Sequence, residues 1–292
     1  GKAIAIDVDD SYHLLQPFEQ SGNQAARFWH DGIVDVSYAS GFTTEKKLER
    51  TPLDQFRKAL PMCAGLTMPS KILAEDWRAY AKCWIVPNYI DPARYLQFKT
   101  PPHDELIIGW GGSMSHKLSF EKSGIAPALR NVLKQRPKVK LMICGDDRIL
   151  GILKCPPRQV IYQPYVSWDQ WPRLLSRFSI GIAPLFGRYD WSRSAIKAIE
   201  YSTMGIPFVA TGCPTYEGFI DNDAGWYVDD GPESEAHKRA VTWESRLLDM
   251  IDHYPSYHTR MADKFHYAQE WWIDNRVHDI YRTYEEIVAS FK

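Results

Sequence analysis

Two stretches carry residue types that could hold a phosphorylated ligand. The first, Gly109-Trp110-Gly111-Gly112-Ser113, lies where an apolar run ends and before a helical stretch begins. Glycines there let a backbone approach a ligand closely, and free amides in the turn can hold phosphate oxygens. The same composition makes a plain tight turn, and neither a GxGxxG fingerprint nor a P-loop GK[ST] is present. The second runs Ser192-Arg193-Ser194-Ala195-Ile196-Lys197-Ala198-Ile199-Glu200-Tyr201 and is followed by Gly205-Ile206-Pro207. Ser192 or Ser194 can cap a helix there, whose amino-terminal amides and positive dipole end form an anion site, with Arg193 and Lys197 adding full charges. On helical geometry alone, Lys197 and Glu200 read equally as a surface ion-pair stripe.

A third cluster, Asp7-Val8-Asp9-Asp10, follows the first apolar run. It is compatible with a metal-holding DxD of GT-A type, with the nucleophile loop of a haloacid-dehalogenase-type phosphatase, or with capping, turn formation and ligand contacts at a cleft edge. The downstream Ser/Thr, Lys and acidic motifs of such a phosphatase are not traceable, so the last reading is preferred. His13 and His116 lie on plausible cleft loops, and a lone histidine is more often a hydrogen-bonding structural residue than a catalytic one.

The elements that must position these residues follow from hydrophobic periodicity. Short apolar runs alternate with amphipathic stretches, as in βα units around a buried parallel sheet. Strands are expected at Ala3–Ile6, Ala64–Met68 and Trp84–Val86, with a helix capped by Ser70. A polar stretch with prolines from Asp91 to Pro102 reads as an interdomain linker. Beyond it, strands at Leu106–Trp110, Val139–Cys144, Gln159–Tyr162, Ile180–Pro184, Pro207–Ala210 and Gly225–Val228 alternate with helices at Phe120–Gln135, Trp168–Phe178 and Ser192–Met204, giving a six-strand doubly wound domain. Helices over 234–252, 257–271 and 276–290 close the chain, their aromatics Trp271, Trp272, Tyr281 and Tyr284 read as core.

Composition sets bounds. The 292 residues are 45% hydrophobic, enough for about two domains. Lys and Arg number 35 against 36 Asp and Glu, so bulk charge does not recruit nucleic acid. Five scattered cysteines, with no CxxC and no Cys/His cluster, fit reduced thiols in a cytoplasmic protein, and a peripheral place at a membrane surface is also compatible. No apolar run approaches the roughly 20 residues of a membrane span. The chain enters a strand at once, so whatever would precede it reads as missing or short.

In combination, Phe178-Ser179-Ile180-Gly181-Ile182-Ala183-Pro184-Leu185, the Ser194–Tyr201 stretch and Gly205-Ile206-Pro207 resemble the donor-binding region of family 4 ("group 1") glycosyltransferases. Pro69-Ser70-Lys71, Pro87-Asn88-Tyr89-Ile90-Asp91, Gly111-Gly112-Ser113, Cys144-Gly145-Asp146 and Tyr165-Val166-Ser167 agree in the same order, so the resemblance covers about residues 62–230. It implies an α/β GT-B fold: two Rossmann-like domains with a central cleft, the N-terminal one short or truncated. The implied division is 1–102 for the acceptor side, 103–274 for a nucleotide-sugar site, and a helix at 275–292 packing back toward the N-terminal domain.

The resemblance further implies a metal-independent, retaining transfer from a nucleotide-diphosphate sugar to an acceptor glycan, lipid, protein or small molecule, with no cofactor and no protein nucleophile. Glu200 takes the second glutamate position of the family's E-x7-E motif and would accept hydrogen bonds from the ribose. The first glutamate falls at Ser192, a departure that removes the usual carboxylate contact to the donor sugar. Lys197, Arg193 and, because it follows the glycine turn, Lys117 would offset diphosphate charge. Gly111, Gly112, Ser113, Gly145, Tyr165, Val166, Ser192 and Ser194 would complete the donor site. Glu200 is expected at a solvent-reachable cleft wall, so that Glu200→Ala would weaken nucleotide binding and leave the fold intact. An epimerase-like enzyme and a catalytically idle carbohydrate-binding protein are the alternatives.

Overall fold

The computed structural model describes residues 2–15, 24–37, 41–98, 102–103, 105–229 and 235–291. Lys99, Thr100 and Pro101 of the expected linker, and the expected helix start at 234, lie outside the described residues. The chain divides into two compact units, Gly1–Pro87 with Ser192–Ser194 and His278–Lys292, and Asn88–Trp191 with Ala195–Val277.

In the first unit, β1 (Ala5–Asp7), β4 (Gly65–Met68) and β5 (Cys83–Ile85) form a parallel sheet in the order β1-β4-β5. A separate antiparallel hairpin joins β2 (Ile33–Ser37) to β3 (Thr43–Lys47). The apolar core gathers Val8, Leu60, Leu66, Met68, Leu73 and Trp77. Ser70 caps the helix Lys71–Trp77 as its sequence requires, its hydroxyl accepting from Leu73 N at 3.2 Å.

The second unit is built on a six-stranded parallel sheet of β6 (Ile107–Gly112), β7 (Lys140–Gly145), β8 (Val160–Gln163), β9 (Ile180–Ala183), β10 (Phe208–Gly212) and β11 (Trp226–Asp229). Their order, β11-β10-β9-β6-β7-β8, reverses direction between β6 and β9. That is the point where an open α/β sheet leaves a crevice at its carboxyl edge. Successive strand residues face opposite sides, which divides the core in two. Ile108, Trp110, Leu141, Ile143, Ile180, Ile182 and Val209 join the helices Ile125–Gln135 and Ala236–Asp252. Ile107, Met142, Cys144, Phe208 and Ala210 join Phe178, Ile199, Tyr201 and Phe219 on the other face.

Four expectations need correction. The helix foreseen over Phe120–Gln135 is two helices, Lys117–Lys122 and Ile125–Gln135, divided at Gly124, whose φ of 88° an L side chain resists. The helix foreseen from Ser192 begins at Ile196, after a separate turn at Arg188–Trp191. The Ser192 carbonyl, which a helix begun there would give to the residue 196 amide, accepts instead from Ser70 Oγ at 2.6 Å. The stretch from Asp91, read as linker, forms the helix Pro92–Leu96, because Asp91 accepts from Ala93 N at 2.9 Å and Pro92 fits the first helical position. The fourth concerns the aromatics of the C-terminal helix Ile273–Ser290, where Tyr281 is 66% and Tyr284 40% exposed rather than core.

Gly124 offers a test of the packing. A Cβ there would sit 2.6 Å from Ala240 N, a backbone atom of the facing helix, in addition to the positive φ. Gly124→Ala is expected to lower stability by about 2–3 kcal/mol, read as a reduced urea midpoint. An unchanged midpoint would show that the two helices are free to part.

Candidate functional site

The site is assembled at the carboxyl edge of β6 and β7. The β6 strand runs on through Gly111 and Gly112, so these glycines are ladder residues and the turn begins only at Ser113. Their small size serves packing: a Cβ on Gly109 would fall 2.1 Å from Phe178, and one on Gly111 would fall 2.4 Å from the Trp171 indole. Gly145, at the end of β7, has φ 105°, and a Cβ there would lie 2.3 Å from Gly112 O. The Gly112 carbonyl accepts from Asp146 N at 3.2 Å and from the Tyr165 hydroxyl at 3.2 Å, while Tyr162 OH donates to Gly145 O at 2.9 Å. Gly112, Gly145 and Tyr165 are thus locked together. Val166 is half-buried and packs into the core beneath.

The helix Ile196–Met204 supplies the charged groups. Its first turn carries Lys197, whose ammonium stands 5.5 Å from the Trp110 ring centroid, within cation–π range. One turn on, Glu200 is 8% exposed and accepts from Tyr95 OH at 2.8 Å and from Trp171 Nε1 at 2.7 Å. Both bonds converge on Oε1, and Oε2 meets no donor among the described residues. The carboxylate expected at a solvent-reachable cleft wall is thus largely buried and held by one of its two oxygens. Burial raises the Glu200 carboxyl above its usual range, with the Tyr95 bond, the Lys197 charge and the Trp171 bond pulling the other way.

The remaining predicted residues distribute as follows. Ser113 is exposed and its hydroxyl pairs with Ser115 Oγ at 2.7 Å. Lys117 opens the helix Lys117–Lys122 and lies 3.9 Å from Glu121. Ser192, Arg193 and Ser194 group with the first unit rather than with Lys197 and Glu200. Ser192 is wholly buried, its hydroxyl 2.5 Å from Ser11 Oγ. In the acidic cluster, Asp7 accepts from Thr67 Oγ1 at 2.6 Å, and among the described residues no group of His, Cys, Asp and Glu is arranged to hold a metal ion. His13 lies 3.4 Å from Asp76, and His116 packs edge-on against Trp110.

Sequence reasoning missed Tyr95, Trp171 and Asp190. Asp190, 2% exposed, accepts from Ser119 Oγ at 2.5 Å and from Phe186 N at 2.9 Å, fastening the loop after β9 to the helix that carries Lys117. Only the Asp-Pro cap signal at 91–92 announced the helix that delivers Tyr95.

Residues 107–243 match the family model described as "Glycosyl transferases group 1". Over that stretch, from β6 into the helix Ala236–Asp252, the chain is similar to group 1 glycosyltransferases. Its α/β fold, with parallel Rossmann-like sheets, is that of GT-B glycosyltransferases. The pneumococcal O-GlcNAc transferase GtfA, solved with UDP and GlcNAc, superposes with a TM-score of 0.60 at 13% identity over 98% of this chain and 53% of that one. HepE from Anabaena, solved with UDP-glucose, gives 0.57 at 15% identity over 80% and 68%. Sucrose-phosphate synthase from Thermosynechococcus elongatus gives 0.55 at 13% over 82% and 62%. The chain thus spans about half to two thirds of the length of these structures. No curated protein sequence matches it. Among the described residues, no helix is long and apolar enough to cross a membrane.

The Glu200 environment separates two substitutions. Glu200→Gln keeps an oxygen for Tyr95 and Trp171, whereas Glu200→Ala leaves two donors without an acceptor and is expected to cost about 2 kcal/mol or more, so alanine would not leave the fold untouched. A carboxyl whose folded pKa is raised contributes stability that is fully present below its ordinary value of 4.5 and is lost as pH rises through the folded value. The melting temperature of Glu200→Gln relative to the parent chain should therefore climb as pH rises above the ordinary value of 4.5. A difference that stays flat with pH would contradict the buried, charge-strained carboxylate.

Proposed function

We propose that this chain is a group 1 glycosyltransferase that binds a nucleotide-diphosphate sugar in its second unit and transfers the sugar to an acceptor with retention of configuration, without a metal. The observation that carries the reading is the convergence of Gly112, Gly145, Tyr165, Lys197 and Glu200 at the carboxyl edge of the sheet, beside the β6/β9 reversal. Glu200 Oε2 is the charged acceptor for ribose hydroxyls. Lys197 and the amides opening its helix face the diphosphate, with Lys117 as a further cation, and Tyr165 with Val166 lines the base.

When the glycosidic bond breaks, the departing phosphate gathers negative charge. A fixed ammonium already in place lowers that barrier without reorganising. The leaving phosphate itself can take the acceptor proton on the same face, so the scheme asks for no protein nucleophile. The UDP and UDP-glucose bound in the structures of GtfA and HepE favour a uridine nucleotide as the first to try, with GDP as the alternative. The acceptor is a glycan, lipid, protein or small molecule. One feature favours a second reading, a binding protein without turnover: Ser192 stands where the family motif has its first glutamate.

A thermal-shift series with UDP, GDP and their glucose, galactose, mannose and N-acetylglucosamine conjugates tests donor binding. A nucleotide at 100 times its Kd should add about 2.7 kcal/mol to stability. Absence of any shift across the series would sink the reading. Hydrolysis of the shifting donor without acceptor separates enzyme from binder, and Lys197→Ala should slow that hydrolysis about 100-fold or more.

A further inference from the structure

The helix Pro92–Leu96 holds two parts of the candidate donor site at once. Tyr95, 6% exposed, donates to Glu200 Oε1 at 2.8 Å. Its neighbour Arg94 lies over the Trp168 ring and pairs with Asp169. Trp168 and Asp169 lie in the segment between β8 and the helix Trp171–Leu175, the segment that also bears Tyr165. Trp171 heads that helix, gives Glu200 Oε1 its second hydrogen bond at 2.7 Å, and rests its indole where a Gly111 side chain would otherwise stand.

A carboxylate on a flexible two-carbon stem gains little from one bond, which leaves it free to rotate about that contact. Two donors arriving on the same oxygen from different elements fix both its position and its plane. The geometry points to Tyr95 and Trp171 as positioning residues that hold Glu200 by Oε1 and present Oε2 alone to the ribose hydroxyls of a nucleotide, with Arg94 fixing the segment at the base end from the same short helix. This assignment rests on the donor reading above, since the ligand it positions Glu200 for is the nucleotide of that proposal.

Burial would favour the neutral acid, and a neutral Glu200 is a poorer acceptor. Besides Tyr95 and Trp171, the charged and titratable groups acting on this pair are Lys197 on the same helix, Tyr201 beside it, and Arg94 and Asp91 on the facing helix. Lys197 and the two hydrogen bonds hold the carboxyl down against its burial. Removing the Tyr95 hydroxyl leaves Lys197 and Trp171 to do so alone.

The test is calorimetric titration of the whole chain and of Tyr95→Phe with UDP and GDP, each paired with its 2′,3′-dideoxy counterpart. Tyr95→Phe keeps the ring in its seat. It should lose about 5- to 10-fold in affinity for the ribonucleotide and show little change for the dideoxy form. The acid limb of the ribonucleotide binding profile should move to higher pH in the variant. Trp171→Phe should give the same ribose-dependent loss. Equal losses on the ribo and dideoxy forms, or no loss on either, would overturn the positioning role while the donor reading stands. If the parent chain binds neither nucleotide, the donor reading falls and takes the positioning role with it.

Discussion

A carboxylate buried in the second unit sets a requirement that the surrounding structure has to meet. Taking an ionised carboxyl out of water is costly unless hydrogen bonds and an opposite charge replace its hydration. Glu200 obtains these from three places: the helix Pro92–Leu96, the start of the helix Trp171–Leu175, and Lys197 on its own helix. Each lies in a different stretch of sequence, so the arrangement exists only when all are seated against the same sheet. Satisfying Glu200 therefore fixes the relative placement of segments that periodicity alone leaves independent.

The sheet meets this requirement by leaving out side chains. Gly109 makes room for Phe178, Gly111 for Trp171, and Gly181 for Tyr201, each aromatic lying where a Cβ would be less than 3 Å away. Aromatic rings pressed on strand backbone bring the covering segments closer than an aliphatic layer would, and their orientation is fixed by few rotatable bonds. Trp171 reaches Glu200 with its indole N–H while the far edge of its ring takes the space a Gly111 side chain would fill. The glycines first read as an approach path for phosphate are thus used, in part, to bring an aromatic hydrogen-bond donor to the acid.

Much of the fold was legible because strand and helix periods differ, and each buried strand of the second unit announced itself as an apolar run. The presence of six strands, β6 to β11 along the chain, and the helix capped by Ser70 follow directly from that pattern. What escaped notice depended on long-range partners. The start of the helix at Ile196 is decided by the Ser70 hydroxyl, 122 residues away in sequence, which takes the Ser192 carbonyl. The burial of Glu200 is decided by Tyr95, 105 residues away. The Asp91-Pro92 start was a local signal that the polar, proline-bearing context outweighed, since the same residue types begin short helices and fill linkers.

Ser192 shows why a missing motif residue should be read with its surroundings. A glutamate in its place would bring a charge to a wholly buried position already closed by the Ser11 hydroxyl at 2.5 Å, while the Ser70 hydroxyl holds the backbone there. A charge brought into a buried position shifts its pKa or displaces its neighbours unless hydrogen bonds or an opposite charge replace its hydration. The serine is therefore matched to two other serines, and restoring the glutamate alone would break that match rather than recover a contact. The position that carries a carboxylate in the family motif is here joined to the Ser11 and Ser70 hydroxyls.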